Sequence, residues 1–195
     1  MSDIKNDVIL CGVGGQGTVL ASKLLASAAM DRGLPVKTAE TIGMAQRGGS
    51  VTSHVRIGSG AASPLIGRGG ADLIIGFEPA EAVRQLRFLR EDGVVVVGNR
   101  PIVPVSATTG GPAYDLEGIM AYLRERVRRL EVVDVDAASR DLGSSKCLNV
   151  VLLGAVLRTG ALGFSEADVE GAIRRMVPAR FLDLNLRALR YWQAT

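Results

Sequence analysis

A chain of 195 residues with 47% hydrophobic and 22% charged content is long and apolar enough for one complete core, and 23 Lys and Arg against 20 Asp and Glu leave a net charge of only +3. With an aromatic content of 4% and dispersed basic residues, it lacks the basic, aromatic platform that holds single-stranded nucleic acid, so no nucleic-acid partner is expected. Two cysteines outside any CxxC pair and a single histidine are too few for a disulfide framework, a zinc knuckle, an iron–sulfur cluster or a histidine-based metal centre.

The opening segment to Asp7 is polar, without the apolar stretch of a secretory signal. The apolar run Val8-Ile9-Leu10-Cys11 predicts a strand buried on both faces, as in a parallel sheet. Thr18 to Met30, rich in Ala and Leu without internal Gly or Pro, predicts a helix striped by Leu20, Leu24 and Ala28. Gly33 supplies a C-cap and Pro35 a stop before a strand at Val36 to Ala39, which completes a βαβ unit. From Ser50 to Ile57 the period becomes two, with Val51, Ser53, Val55 and Ile57 on one face and the more polar Thr52, His54 and Arg56 on the other.

A glycine-rich connection, Gly58 to Gly70, leads to a buried strand at Asp72 to Phe77. Pro79 then opens a helix with Ala82, Val83, Leu86 and Leu89 inward, and a strand follows at Val94 to Val97. Three prolines and two glycines between Asn99 and Pro112 favour an irregular excursion or edge strand. Next comes a helix striped by Ile119, Leu123, Val127 and Leu130, with Arg124, Glu125, Arg128 and Arg129 on a solvated face, and then a strand at Glu131 to Val135. From about Lys146 the chain reads as helical, through Val151, Leu152, Ala155 and Val156, and then from a Ser165/Asp168 capping pair into Val169, Ile173 and Met176. The longest late apolar run, Leu148 to Leu157, is broken by Asn149 and Gly154 and falls short of the roughly 20 residues that cross a bilayer, so a cytoplasmic protein is expected. The fold class is α/β: a doubly wound, Rossmann-like, mostly parallel sheet in three α/β/α layers with a helical C-terminal portion, in one domain over residues 1–195.

Ligands of such sheets sit beyond the carboxyl ends of the strands, and two loops leave those ends early in this chain. GVGGQG follows the first strand and opens the first helix, so Gly12, Gly14 and Gly17 have the spacing of a phosphate-type loop whose backbone N–H groups approach an anion, or alternatively of a tight strand-to-helix turn that only packs. Glu40, at the end of the second strand, stands roughly where a dinucleotide fold keeps its ribose-binding acid, which leaves an NAD-type protein as one alternative. In the second loop, Arg47, Gly48, Gly49 and Ser50 set a permanent cation beside exposed backbone, facing an anion or a partner subunit. The two loops are expected to be neighbours.

Three stretches then carry a family resemblance: GVGGQGTVLASKLLASAA, AETIGMAQRGGSVTSHVRIG, and NVVLLGAVLRTGALGFSEADVEGAIRRMVP with NLRAL after it. Together they make essentially the whole chain similar to the gamma family of 2-oxoacid:ferredoxin oxidoreductases, and AQRGGSVTSHVRIG is most similar to its indolepyruvate branch. The resemblance implies an accessory, gamma-type domain in a hetero-oligomer that decarboxylates a 2-oxoacid to an acyl-CoA, indolepyruvate or another aryl pyruvate, with pyruvate or 2-oxoglutarate as the alternative substrate. Thiamine diphosphate, Mg and iron–sulfur clusters are then expected on a large partner subunit, with ferredoxin reached through the complex and coenzyme A a possible ligand of this chain. It also implies that Gly12, Gly14, Gly15, Gln16 and Gly17 act as backbone donors or packing elements and Arg47, Gly48, Gly49 and Ser50 as an anion-facing or partner-facing loop, that the isolated chain is inactive, and that NAD loses weight. The chain itself has no GDG motif for thiamine diphosphate, no GxSxG elbow and no HExxH pair.

No catalytic residue and no metal ligand is assigned. His54 reads as a hydrogen-bonded strand histidine rather than an acid or base, and Cys11 as a core residue. Cys147 lies near a helix start beside Lys146, which favours a thiolate, yet nothing around it resembles a nucleophile site and it reads as structural. A homodimer is a further possibility, since the apolar content suits an assembly surface.

Overall fold

The run Val8 to Cys11 is the middle of β1 (Asn6–Val13), and its alternate side chains divide between two cores. Val8 and Leu10 join one, and Ile9 and Cys11 the other, each fully buried. That double burial requires helices on both sides, which is why the strand reads as continuous apolar sequence. The computed structural model describes residues 4–42, 48–58, 60, 62–104, 107 and 110–193.

In chain order β1 is followed by α1 (Thr18–Asp31), β2 (Val36–Ile42), β3 (Ser50–Ile57), β4 (Ala71–Gly76), α2 (Pro79–Gln85), β5 (Leu89–Gly98), α3 (Leu116–Arg126), β6 (Arg129–Val133), α4 (Val135–Leu142), α5 (Leu148–Arg158), α6 (Glu166–Met176) and α7 (Ala179–Leu189). The six strands form one sheet in the order β2-β3-β1-β4-β5-β6. β1, β4, β5 and β6 run parallel to one another, while β3 runs antiparallel to both β1 and β2. α1, α5, α6 and α7 supply the larger core, over Val8, Leu10, Val55, Ile57, Leu73, Ile75, Val94 and Val96. α2 and α3 cover the opposite face, over Ile9, Cys11, Ile74, Val95 and Val97. The predicted three-layer α/β architecture is therefore the observed one.

The first unit departs from the expected βαβ pairing. α1 does carry the chain from β1 to a strand of the same direction, but β3 is inserted between β1 and β2. This insertion brings the two loops together for a reason other than parallel adjacency. The start of β3 lies beside the end of β1, Val13 faces Ser50, and Gly14 N–H donates to the Gly49 carbonyl at 2.8 Å.

The face of β3 expected to be more polar is largely covered. His54 is only 7% exposed, its Nδ1 accepts the Ile66 N–H at 3.2 Å, and its ring packs edge-on to Phe88. Arg56 donates from Nε and Nη2 to Asp7 at 2.8 and 2.7 Å and from Nη1 to the Ser63 carbonyl at 3.2 Å. The connection after β3 folds back over those two side chains.

Three boundaries shift, each at a helix end. Leu89 begins β5 instead of ending a helix, and Leu130 belongs to β6 instead of the stripe of α3, whose last turn closes at Val127. The last strand is Arg129–Val133 rather than Glu131 to Val135, because Asp134 stops it by capping α4. α4 itself went unread, although its signals stand in the sequence: Asp134 accepts from the N–H groups of Asp136 and Ala137, and Gly143 ends the helix with φ +69°. The Ser165/Asp168 capping box of α6 and the exposed faces of Arg124, Glu125, Arg128 and Arg129 are as expected. Among the described residues no helix is long and apolar enough to cross a membrane.

Candidate functional site

GVGGQG crosses from β1 to α1 at the carboxyl rim of the sheet. Three short contacts explain its glycines. A Cβ on Gly12 would stand 2.7 Å from Gln16 Oε1 and 2.8 Å from the Phe77 Cβ, and one on Gly17 would stand 2.8 Å from Asn149 Nδ2. Gly17 also holds φ +80° as the N-cap of α1, and Gly15 holds φ +103°, both in the left-handed region that glycine enters freely.

Gln16 is committed to the fold. Its Oε1 accepts the Val13 N–H at 2.7 Å and its Nε2 donates to the Phe77 carbonyl at 2.8 Å, so one side chain ties the end of β1 to the end of β4. Gly14 N–H is used by Gly49, and Gln16 N–H by the Val13 carbonyl at 3.2 Å. Among the described residues, no acceptor takes the N–H of Gly15 or Gly17. Those two groups are the loop's donors without an acceptor among the described residues.

Gly15 and Gly17 line a cavity of about 300 Å3 together with Gln16, Arg100, Lys146 and Asn149, with Leu20, Ile102, Leu148 and Leu152 as apolar wall. The N-termini of α1 and α5 open onto it through Gly17 and Leu148, whereas at α4 the first three N–H groups are taken by Asn99 and the Asp134 carboxylate. Each of the two open ends carries about half a positive charge from its aligned peptides. Arg100 and Lys146 add full charges, and Arg100 is steadied by donating from Nε to Asp136 at 2.7 Å. Free N–H groups, two open helix N-termini and two cations suit a phosphate or diphosphate. Arg100, Lys146 and Asn149 were not among the site residues expected from the sequence. Each stands more than 80 positions from the glycine loop, at the end of β5 or the start of α5, and only the fold brings them to it.

The described end of the second loop, Gly48 to Ser50, faces elsewhere. Arg47 lies outside the described residues, and Gly49 is used by Gly14. Gly48 and Ser50 line a separate cavity of about 400 Å3 on the α2 side, together with Glu78, Glu81, Tyr114, Ile102 and Val103. So the two loops touch while Gly15 to Gly17 and Gly48 to Ser50 look into different spaces, and a single anion pocket built from both is not what the structure places here. Ser50 Oγ donates to Glu81 Oε2 at 2.6 Å, and Arg84 pairs with the other oxygen. Glu78 caps α2 by accepting the Glu81 N–H at 2.9 Å, and its second oxygen accepts from Ile102 N–H at 3.4 Å and from the Tyr114 hydroxyl. Burial, and then the adjacent Glu78 carboxylate, push the Tyr114 hydroxyl well above its ordinary range.

Glu40 does not serve the glycine loop. It sits on the edge strand, with β3 between it and β1, and accepts from Ser22 Oγ at 3.1 Å on the flank of α1. A ribose-reading acid needs the strand next to β1, so the NAD-type alternative loses its geometric basis. Burial pushes both cysteine thiols up, most strongly Cys11, where Glu81 and Glu78 add to the effect. Cys147 is therefore no thiolate in spite of Lys146. Burial also lowers the pKa of His54, which stays neutral and structural. Among the described residues no group of three His, Cys, Asp or Glu side chains could hold a metal ion.

The family model described as pyruvate ferredoxin/flavodoxin oxidoreductase matches residues 7–191. An indolepyruvate oxidoreductase subunit IorB from Archaeoglobus fulgidus is 44% identical to this chain over 185 residues, covering 94% of the chain and 92% of that relative. The gamma subunit of a keto/oxoacid ferredoxin oxidoreductase from Geobacter sulfurreducens superposes with a TM-score of 0.67 at 25% identity, over 95% of this chain and 94% of its own. A 2-oxoglutarate:ferredoxin oxidoreductase from Magnetococcus marinus, solved with 2-oxoglutarate, coenzyme A and succinyl-CoA bound, shares the fold at TM-score 0.69 and 18% identity, over 98% of this chain but only 31% of that longer one. With its whole α/β domain matched, the chain belongs to the pyruvate ferredoxin/flavodoxin oxidoreductase family, as a small, gamma-type oxidoreductase subunit.

Proposed function

We propose that this subunit holds the phosphate end of coenzyme A in a cytoplasmic complex that oxidatively decarboxylates an aryl pyruvate, indolepyruvate first among them. The observation that carries the reading is the cationic cavity at the glycine loop, where Arg100, Lys146 and the N–H groups of Gly15 and Gly17 converge. The substrate is inferred from the 44% identical relative, which is named for indolepyruvate.

The division of labour follows from the residues. Two cysteines, both buried and both with raised pKa, do not fit iron–sulfur ligation, and no described cluster suits a magnesium ion. A larger partner subunit therefore supplies the thiamine diphosphate, magnesium and iron–sulfur centres and passes electrons to ferredoxin. Coenzyme A, when bound, supplies the thiol that takes the acyl group. This chain binds and orients it: charge-assisted bonds from Arg100 and Lys146 fix the phosphates, and the helix N-termini favour their charge. Fixing one end of a long ligand raises the local concentration of its other end at the partner.

Co-expression with a thiamine-carrying large subunit, followed by turnover assays with indolepyruvate, phenylpyruvate, pyruvate and 2-oxoglutarate, tests the reading. The complex is expected to favour the aryl pyruvates, and Lys146→Ala to raise the KM for coenzyme A about tenfold, since a charge-assisted bond contributes about 1.5 kcal/mol or more. An unchanged KM removes Lys146 from the site, and a preference for pyruvate or 2-oxoglutarate overturns the substrate assignment.

A further inference from the structure

The opposite end of the sheet, where β5 and β6 begin, carries a third cavity, of about 490 Å3. Arg84, Arg87, Arg90, Arg126 and Arg128 line it, and Glu91 is the only carboxylate in the described lining. Its floor is apolar: Leu86 and Leu89 pack on the core beneath α2 and α3, Val127 belongs to that core, and Tyr122 stands beside them 42% exposed. Charge is concentrated here beyond what the chain carries as a whole. Residues 84–92 and 124–129 hold seven arginines against three carboxylates, an excess of four in a chain whose net charge is +3. Arg84, Arg90 and Arg128 have carboxylate partners in Glu81, Asp72 and the Glu91/Asp92 pair. Among the described residues no carboxylate pairs with Arg87, and Arg126 reaches only its neighbour Glu125, at 3.8 Å. Both guanidiniums instead lie over rings, Arg87 at 4.8 Å from the centroid of Phe88 and Arg126 at 5.3 Å from that of Tyr122. Stacking holds a guanidinium by its face and leaves the fork of N–H groups at its edge for a carboxylate.

We propose that this face receives an acidic segment of the large partner subunit, whose Asp or Glu side chains pair with Arg87 and Arg126 while an apolar residue beside them covers Leu86, Leu89 and Tyr122. An apolar floor ringed by arginines and an exposed tyrosine is the anatomy of a protein interface. A nucleic acid suits it less, because Glu91, Asp92 and Glu125 stand among the arginines and repel a continuous phosphate chain, whereas single carboxylates can be set between them. The assignment rests on the hetero-oligomer of the proposed function and not on its ligand: a small subunit that is not joined to its large partner holds it by surface alone. The contact is separate from the carboxyl rim, at the far end of the same strands.

The test is the dissociation constant between the full chain and the large subunit, measured by surface plasmon resonance at about 50 and about 300 mM salt for wild type and for Arg87→Glu/Arg126→Glu. Both side chains are exposed, and circular dichroism with a urea midpoint checks that the variant is folded. Wild type is expected to bind about tenfold or more weakly at the higher salt, and the variant to bind about tenfold or more weakly than wild type at the lower salt and to lose most of the salt dependence. Equal affinity of variant and wild type overturns the assignment, as does wild-type binding indifferent to salt. Unchanged assembly with slower reduction of ferredoxin by the reconstituted complex gives the face to the electron carrier and overturns it as well. So does a single-stranded oligonucleotide that wild type binds and the variant does not. A wild-type chain that fails to bind the large subunit overturns the hetero-oligomer itself, and this inference with it.

Discussion

His54 is the single histidine of the chain, which makes its titration separable from every other group. Burial lowers its pKa below the ordinary 6.5, so the unfolded state takes up more protons as pH falls through that value. Its contribution to stability is complete above 6.5 and is lost as pH drops below it. Chemical denaturation between about pH 7.5 and 5.5 is expected to show wild type losing more stability than His54→Gln over that interval, because the variant has no such group to protonate. Parallel pH dependence of the two would assign the effect elsewhere. At Gly17, Ala must adopt φ +80° and meet Asn149, so Gly17→Ala is expected to lower stability by about 1–2 kcal/mol from the backbone alone and further from the contact. Adding Asn149→Ala should restore part of that loss; no recovery would show that the contact costs nothing.

Much of the fold was legible at the level of elements because burial on two faces leaves continuous apolar runs, and β1, β4 and the core of β5 carry them. Direction was harder to read. β3 alternates polar and apolar residues as an outer strand would, yet it lies between β1 and β2, with His54 and Arg56 covered by the connection that follows. Covering a polar face with a loop leaves no period in the sequence. α4 was missed because its 8 residues are too few to establish a stripe, although its caps were in view. Those caps are testable: Asp134 receives two N–H groups, backbone hydrogen bonds hold its pKa below the usual carboxylate range, and Asp134→Ala is expected to lower stability by about 1 kcal/mol in urea denaturation at neutral pH. An unchanged midpoint would mean that α4 is held by packing alone. The site was legible only where it is local. Gly15 and Gly17 could be found beside each other in the chain, whereas Arg100, Lys146 and Asn149 reach the same cavity from distant elements, and no spacing rule joins them.

At the scale of the whole molecule, the rim of one sheet borders two adjoining spaces, one lined by Arg100 and Lys146 and the other by Glu78, Glu81 and Arg84. Under the proposed function, its part in the oxidoreductase is to bind and orient coenzyme A. The most direct measurement is the dissociation constant of coenzyme A for the complex with its large subunit, compared between wild type and the Arg100→Ala/Lys146→Ala double variant, with carbon dioxide release from the ketoacid followed in the absence of coenzyme A as a control. Two lost charge-assisted bonds predict affinity weakened by about 100-fold with carbon dioxide release unchanged. An unaltered dissociation constant would contradict the account.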